Sequence, residues 1–180
     1  SQSDNPKRKL KYSWELVQFD EDFVGVNTAH PNGIVAEAIE DGAIPSLDGY
    51  DSLKREVKYG ANSRIDILLE KEDAPDCYVE VKSVTLARHV PVAEFPDSVT
   101  ARGAKHLEEL AKMVREGKRA VMFFLIQRTD CESFSLAADI DPAYRDGFMR
   151  ALDAGVEILC YDCQISTSEI TIGVPRPVNP

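Results

Sequence analysis

Apolar and polar residues recur along the chain with two periods, and these periods divide it into strands and helices. Alternation predicts strands over 9–18, 22–30, 52–59, 63–70, 77–86, 156–166 and 169–173. Spacing of three and four residues predicts helices over 31–42, 98–118 and 142–155. An unbroken apolar run at 120–127 is typical of a strand buried on both faces of a sheet. This order of elements predicts an α/β fold with a central mixed β-sheet flanked by helices.

Capping residues, glycines and prolines refine the boundaries of these strands and helices. Asn32 is a candidate cap for the first helix, and Gly25 suggests a bend or bulge in the strand before it. The stretch 88–97 contains two prolines and is predicted to be a loop. The helix over 98–118 has the clearest apolar stripe, formed by Leu107, Leu110, Ala111 and Val114.

The segment RIDILLEKEDAPDCYVEVKS at 64–83 predicts a hairpin. We expect Ile65 and Ile67 to share one face of its first strand, and Val79 and Val81 one face of its second. If the strands pair symmetrically about Asp73, the opposed residues are Leu68 and Tyr78, Asp66 and Glu80, and Arg64 and Lys82. Two carboxylates so placed repel each other and cost stability unless something offsets their charge.

A divalent cation would offset it. Mg²⁺ is held in proteins by one or two carboxylates, with waters and substrate phosphates as further ligands. Asp66 and Glu80 could hold such an ion with the carbonyl of Val81, and Lys82 could orient a water or neutralise charge on a phosphate. These are the components of phosphodiester hydrolysis. The alternative is a solvent-facing hairpin in which Arg64 and Lys82 neutralise the acids without metal.

Four further residues could join this site. Glu37, in the preceding helix, could reach the same end of the sheet, or it could be a plain surface acid. Arg102, Lys105 and His106 lie near the start of the helix that follows the Glu-x-Lys strand. Cations there oppose the helix dipole, which indicates an anionic ligand such as phosphate. His106 could equally be a packing or capping residue.

Length and charge narrow the class of protein. The 180 residues suit one domain, and the net charge of −10 from 31 acidic and 21 basic residues is unfavourable for a protein that coats nucleic acid. Contact with DNA would need a local basic patch. PKRKLK at 6–11, with Lys7, Arg8 and Lys9, is the candidate, and a solvated edge strand is the alternative.

The cysteines and the lengths of the apolar runs indicate the cellular compartment in which the protein is expected. Cys160 and Cys163 have CxxC spacing on a strand, so they should point to opposite faces, which favours structural thiols over redox or zinc chemistry. Cys77 and Cys131 form no second CxxC pair. Apolar runs are too short to span a bilayer, and the first residues lack the apolar stretch of a signal peptide. We therefore expect a cytoplasmic protein with no membrane partner.

Four stretches closely resemble the sugar fermentation stimulation protein A family. They are SDNPKRKLKYSWEL, GYDSLKREVKYGANSRIDILLE, CYVEVKSVTL and FPDSVTARGAKHLEEL, and the resemblance runs from residue 3 to about residue 178. It implies a bacterial or archaeal cytoplasmic protein that binds DNA and is linked by name to regulation of sugar metabolism. It also implies a restriction-endonuclease-like PD-(D/E)xK core in the C-terminal domain, after an N-terminal OB-like barrel.

The resemblance extends to individual residues. Asp66 matches the acid of the nuclease core motif, Glu80 and Lys82 match its Glu-x-Lys element, and Glu37 is a match for the helix acid. Residues 1–29 are then expected to be remnant strands of the OB-like barrel, and residues 30–180 the nuclease-like domain.

The leading hypothesis is a DNA-binding protein that hydrolyses phosphodiester bonds with Mg²⁺ or Mn²⁺. In it Asp66, Glu80 and Lys82 are catalytic. DNA is the expected partner, and a homodimer is left open. One alternative is a non-enzymatic transcriptional regulator of sugar metabolism with a vestigial metal site. Another is an interaction module whose acidic surface binds a basic protein.

Overall fold

The computed structural model describes residues 1–60 and 63–180. Its helices are α1 (Pro31–Glu40), α2 (Ala101–Arg115) and α3 (Pro142–Asp153), with a short 3-10 turn at Pro45–Leu47. The first strands are β1 (Leu16–Phe19), β2 (Asp22–Gly25), β3 (Ser52–Tyr59), β4 (Ser63–Glu70), β5 (Cys77–Val84) and β6 (Leu86–His89). The remaining strands are β7 (Val92–Phe95), β8 (Arg119–Ile126), β9 (Ser133–Leu136), β10 (Glu157–Ile165), β11 (Ile170–Pro175) and β12 (Val178–Asn179).

A six-stranded sheet forms the centre of the fold, in the order β11-β10-β8-β5-β4-β3. The neighbours β5, β8 and β10 run parallel, and the outer pairs are antiparallel. Parallel neighbours need a crossover connection, which α2 supplies between β5 and β8 and α3 contributes between β8 and β10. The predicted α/β fold with a central mixed sheet flanked by helices is confirmed.

The middle strand β8 separates two hydrophobic cores. Met122 and Phe124 pack in the core that includes residues of α2 and α3, whereas Val121 and Phe123 pack in the core that includes α1. All four side chains are fully buried. Because successive side chains of a strand point to opposite faces, an unbroken apolar sequence is what such a position requires. The prediction of a strand buried on both faces is confirmed.

The helices agree with the sequence in position but not in every detail. On α2, Leu107, Leu110 and Ala111 are buried, and Thr100 caps the helix by accepting a hydrogen bond from the Gly103 amide at 3.0 Å. The prediction that Asn32 caps α1 is wrong, because the helix begins at Pro31 and His30 occupies the N-cap position, without a capping hydrogen bond from its side chain. Asn32 therefore lies in the first turn of α1, where its side chain is free for another contact.

A second, four-stranded sheet, in the order β12-β9-β7-β6, was not anticipated. The predicted loop over 88–97 is wrong, because most of it pairs as the β6–β7 hairpin, and the strand predicted over 77–86 is divided between β5 and β6. This sheet packs on the α2 side of the domain. Phe134 in β9 stacks on Phe124 of β8 with ring centroids 4.3 Å apart.

The N-terminal strands are shorter than predicted. Those expected over 9–18 and 22–30 reduce to β1 and β2, which pair antiparallel as a separate two-stranded sheet. Before them, residues 1–13 fold back on themselves, and we call this segment the N-terminal hairpin. The Ser3 amide donates to the Lys11 carbonyl at 2.8 Å, and the Ser13 amide to the Ser1 carbonyl at 2.9 Å. The assignment of 1–29 to an OB-like barrel and of 30–180 to a nuclease-like domain stays a prediction.

The cysteines are buried thiols. Cys160 packs in the α2-side core and Cys163 in the α1-side core, which confirms that the CxxC pair spans the sheet. Burial raises the pKa of each thiol to about 12, so neither is a reactive thiolate at neutral pH. None of the helices in the described ranges is both long enough and apolar enough to cross a membrane.

Candidate metal and phosphate site

The site lies where β4 and β5 separate. The ladder between them pairs Leu68 with Tyr78 and Ile67 with Val79, which is the predicted register, and Asp66 comes directly after the last pair. The expectation that Ile65 and Ile67 share a face is wrong. Ile65 packs in the α2-side core and Ile67 in the α1-side core, so the alternation of β4 is interrupted at Asp66.

The neighbouring strand has an irregularity at the same level. In β3, Arg55 pairs with Ile67 and Val57 with Ile65, so Glu56 is the residue between them that lies across from Asp66. Glu56 has a φ of 56°, in the left-handed region that non-glycine residues rarely adopt. Strained backbone persists where the surrounding structure holds it and is common at functional sites. The distortion thus accompanies the placement of Asp66.

Asp66 is held on both of its carboxylate oxygens. Oδ1 accepts a hydrogen bond from the Asn32 side chain at 2.8 Å, and Oδ2 accepts from the Val81 amide at 2.8 Å. Burial, and after it the negative charge of Glu80, raise the pKa of the Asp66 carboxyl despite these two bonds. The surroundings of Asp66 therefore supply too little positive charge to offset the charge of its ionised carboxylate.

Glu80 is 2% exposed and contacts Lys82 and His106. Its Oε1 receives a hydrogen bond from Lys82 Nζ at 2.7 Å and contacts His106 Nδ1. Burial by itself raises the pKa of the Glu80 carboxyl, but the hydrogen bond with His106 and the charge of Lys82 outweigh it and leave that pKa below its ordinary value. The second oxygen, Oε2, is buried without a hydrogen-bond partner among the described residues.

His106 connects this pair to α2. Its Nε2 lies 3.4 Å from Arg102 Nε, a group that can only donate, and its Nδ1 lies 3.3 Å from Lys82 Nζ. Nδ1 also contacts Glu80 Oε1. The imidazole is 5% exposed, and it therefore joins the buried carboxylate to the exposed guanidinium of Arg102.

The structure brings some of the sequence-predicted residues together and leaves others apart. Asp66, Glu80, Lys82, His106 and Arg102 form one group through the contacts above. The amide of Val81 joins that group through Asp66.

Two predicted residues make other contacts. Lys105 is exposed and lies 3.6 Å from Glu109 on its own helix. Glu37 is exposed on α1 and lines a cleft of about 1090 Å³ with residues such as His30 and Arg55. From α1 it is Asn32, and not Glu37, that makes a hydrogen bond to Asp66.

Two residues of the site were missed from the sequence. Asn32 donates to Asp66, and its amide also lies 3.4 Å from Glu56 Oε1. Pro31 indicates that the helix begins one residue before Asn32, because proline is favoured at the first helical position. No pattern marks Glu56, because it reads as an ordinary polar position of an alternating strand.

The basic residues Lys7, Arg8 and Lys9 lie at the turn of the N-terminal hairpin. The side chain of Asn5 forms this turn by accepting from the Lys7 amide at 3.0 Å. All three cations are exposed. In residues 1–60 and 63–180, they share no hydrogen bond with the Asp66–Glu80 group.

Fold and site together define a mixed α/β domain with an acid–acid–lysine group at the point where two central strands separate. A sequence profile described as the sugar fermentation stimulation protein RE domain matches residues 29–169. A sugar fermentation stimulation protein homolog of Paramagnetospirillum magneticum is 58% identical over 175 residues, which are 97% of this chain and 74% of that protein. One from Rhodospirillum centenum is 60% identical over 172 residues, covering 96% of this chain and 74% of that protein.

A solved structure shares the fold. SfsA of Pyrococcus furiosus, in complex with Ca²⁺, has a TM-score of 0.81 and 31% identity, over 88% of this chain and 68% of that one. The chain belongs to the sugar fermentation stimulation protein family.

Proposed function

We propose that this chain binds DNA and hydrolyses its phosphodiester bonds with Mg²⁺ or Mn²⁺, through a PD-(D/E)xK nuclease-like core. The observation that carries the proposal is the Oε2 atom of Glu80, a buried carboxylate oxygen without a hydrogen-bond partner among the described residues. An unpaired buried acceptor costs free energy, and a cation beside it would remove that cost. The Ca²⁺ complex of the Pyrococcus furiosus relative supports a divalent ion in this family.

The donor set fits a hard cation with few protein ligands. Within residues 1–60 and 63–180, no three His, Cys, Asp or Glu side chains are grouped so that they could hold a metal ion. Asp66, Glu80 and the carbonyl of Val81 would therefore supply the protein ligands, which suits Mg²⁺ or Mn²⁺ completed by waters and a phosphate. The Asp66 oxygens each accept one hydrogen bond and retain a lone pair for such an ion. Glu37, from its exposed position, would reach the ion only through water.

The chain's own groups have defined parts in the reaction. A bound cation would polarise a phosphoryl oxygen and make a water more acidic. Lys82 orients the attacking water and offsets charge that builds on the phosphate. His106 holds Glu80 in place, and Arg102 and Lys105, in the first turns of α2, contact the phosphate backbone. Lys7, Arg8 and Lys9 add a second contact with DNA.

Nicking of supercoiled plasmid in Mg²⁺ or Mn²⁺ tests the catalytic part. We expect the parent chain to nick, Asp66→Ala and Glu80→Gln to lose about 10²-fold or more of the rate, and EDTA to abolish it. Glu72→Ala, which removes an exposed acid from the β4–β5 turn, is the matched control and should retain parental activity. Equal rates in the parent and Asp66→Ala, or no nicking by either, would overturn the catalytic proposal.

A second candidate function is a non-enzymatic DNA-binding regulator with a vestigial metal site. The ion pair of Lys82 with Glu80 favours it, because Lys82 already neutralises that carboxylate without metal. This candidate predicts salt-dependent DNA binding that is the same in Asp66→Ala and in EDTA. Binding that requires Mn²⁺ and fails in Asp66→Ala would exclude it.

A further inference from the structure

The N-terminal hairpin and the residue that follows it expose three large apolar side chains that lie close together in the sequence. Leu10 is 69% exposed, Tyr12 64% and Trp14 73%. The Trp14 indole N–H donates to the Leu16 carbonyl at 2.8 Å, which satisfies the one polar group of the ring. The rest of the ring is apolar surface in contact with solvent, and such surface concentrated in one segment marks an interaction site.

Cations lie beside these rings. Lys7, Arg8, Lys9 and Lys11 all belong to the stretch 6–11, in a chain whose net charge is −10. Lys11 Nζ is 5.8 Å from the centroid of the Tyr12 ring. The ion pairs found among the described residues include none of these four cations. Their charge is therefore available to an anionic partner.

Hydrogen bonds hold the rings and the cations in one unit. An isolated bridge pairs Gln2 with Tyr12, and Arg8 donates to the Ser13 hydroxyl at 2.9 Å, which brings the basic turn back to the segment that carries the aromatic residues. At the base, Glu15 accepts from the Asn27 side chain at 2.8 Å, so the segment is tied to the domain. The hairpin thus presents stacking surface and positive charge together on a supported element.

We propose that the segment 6–14 binds single-stranded nucleic acid, with Tyr12 and Trp14 stacked on unpaired bases and the four cations on phosphates. The inference rests on the DNA-binding part of the proposed function and specifies the strand state that this surface takes. Bases in a duplex hide their faces against their neighbours, whereas unpaired bases offer them to aromatic side chains. Cations alone would bind the phosphates of single-stranded and of duplex nucleic acid. The exposed rings therefore favour the single strand.

Trp14 is the one tryptophan in the chain, so its intrinsic fluorescence reports on this surface directly. The intact chain is titrated at low salt with an oligothymidine of about 12 nucleotides and with a duplex of equal length. We expect saturable quenching of Trp14 by the oligothymidine and at least roughly tenfold weaker binding of the duplex. Anisotropy of a labelled oligonucleotide gives the affinities of variants that lack tryptophan.

Variants separate stacking from charge. Tyr12→Ala and Trp14→Ala should each weaken oligothymidine binding by about 5- to 100-fold, the loss expected for one stacked base, while Tyr12→Phe retains the ring and the affinity. Phe19→Ala, an exposed aromatic in β1, is the matched control and should bind as the parent does.

Binding of oligothymidine without quenching, or with Tyr12→Ala unchanged, overturns the inference and leaves DNA binding intact. No binding of either nucleic acid overturns both. Capture of a protein partner that masks Trp14, in a chain that does not bind oligothymidine, would assign the surface to that partner instead.

Discussion

Asp66 lies in β4 and Glu80 in the neighbouring β5, yet their surroundings move their pKa values in opposite directions. The pKa of Asp66 is raised by burial and by the Glu80 charge, whereas that of Glu80 is lowered by His106 and Lys82 in spite of its burial. Glu80 is therefore already compensated on one oxygen. Asp66 is the carboxylate that gains most from added positive charge, and it should govern how a cation binds.

Mn²⁺ is expected to stabilise the chain through Asp66. A ligand that binds only the folded state at 100 times its dissociation constant contributes about 2.7 kcal/mol, which corresponds to a rise in Tm of roughly 5–10 °C for a domain of this size. Thermal unfolding followed by circular dichroism, with and without Mn²⁺, measures it. Asp66→Ala should abolish the rise and Glu72→Ala should retain it. An equal rise in the parent and Asp66→Ala would place the ion elsewhere.

Mn²⁺ binding should weaken as the pH falls. The weakening should begin at a higher pH than it would for an aspartate with an ordinary pKa. The folded-state pKa of Asp66 lies above the ordinary value for an aspartate, so the protonated form of Asp66 stabilises the fold, and this contribution is lost as the pH rises through that pKa. A cation needs the ionised form and competes with the proton. Calorimetric titrations between neutral pH and about pH 5 measure the effect. An affinity for Mn²⁺ that does not change over that pH range would contradict the prediction.

The central part of this site could be predicted from the sequence, and its periphery could not. Symmetry of the 64–83 hairpin about Asp73 was enough for the register, because short turns fix strand pairing locally. The contact of Asn32 with Asp66 joins residues far apart in sequence, and no local pattern encodes it. The left-handed Glu56 is likewise a product of the tertiary packing around Asp66.

At the scale of elements, β8 separates the two hydrophobic cores and contacts the second sheet. Its Phe124 is fully buried and stacks on Phe134, and its ring centroid is 5.7 Å from that of Phe95 in β7. The side chain therefore lies between the central sheet and the four-stranded sheet. Removing it would leave a cavity that both sheets border.

Phe124→Ala should lower the free energy of unfolding by about 3–5 kcal/mol, through lost burial and the cavity left behind. Urea denaturation measures the change. Phe19→Ala removes the same atoms from a ring that is 39% exposed, and it should cost much less. A loss below about 1 kcal/mol for Phe124→Ala would show that β9 can collapse onto β8 and fill the space.

The elements predicted from sequence are those with long, strong periodicity. The strands 52–59 and 63–70 have the predicted bounds, and the three helices differ from prediction by a few residues at their ends. The second sheet was missed because its strands are two to four residues long, too short to establish alternation. Pro91 and Pro96 also flank β7, and prolines in sequence indicate a loop more often than an edge strand.

At the scale of the whole molecule, charge is distributed unevenly. The chain carries a net charge of −10, yet four of its 21 basic residues belong to the stretch 6–11. An acidic surface repels a polyanion, so binding that depends on this stretch should be limited to a few phosphates. The number of phosphates contacted is what the salt dependence of binding reports.

The affinity for oligothymidine should fall with salt along a shallow slope. Single strands give a slope of log affinity against log salt of about −0.7 per phosphate contacted, so four contacts predict about −3. Lys7→Gln with Lys9→Gln should reduce the slope to about −1.4, because two contacts are lost. Lys54→Gln with Lys112→Gln removes the same charge from lysines that pair with Glu70 and Glu116, and it should leave the slope near the parental value. Anisotropy titrations at several salt concentrations measure all three slopes. Equal slopes for the two double variants would mean that nucleic acid responds to the overall charge of the molecule and not to the N-terminal hairpin.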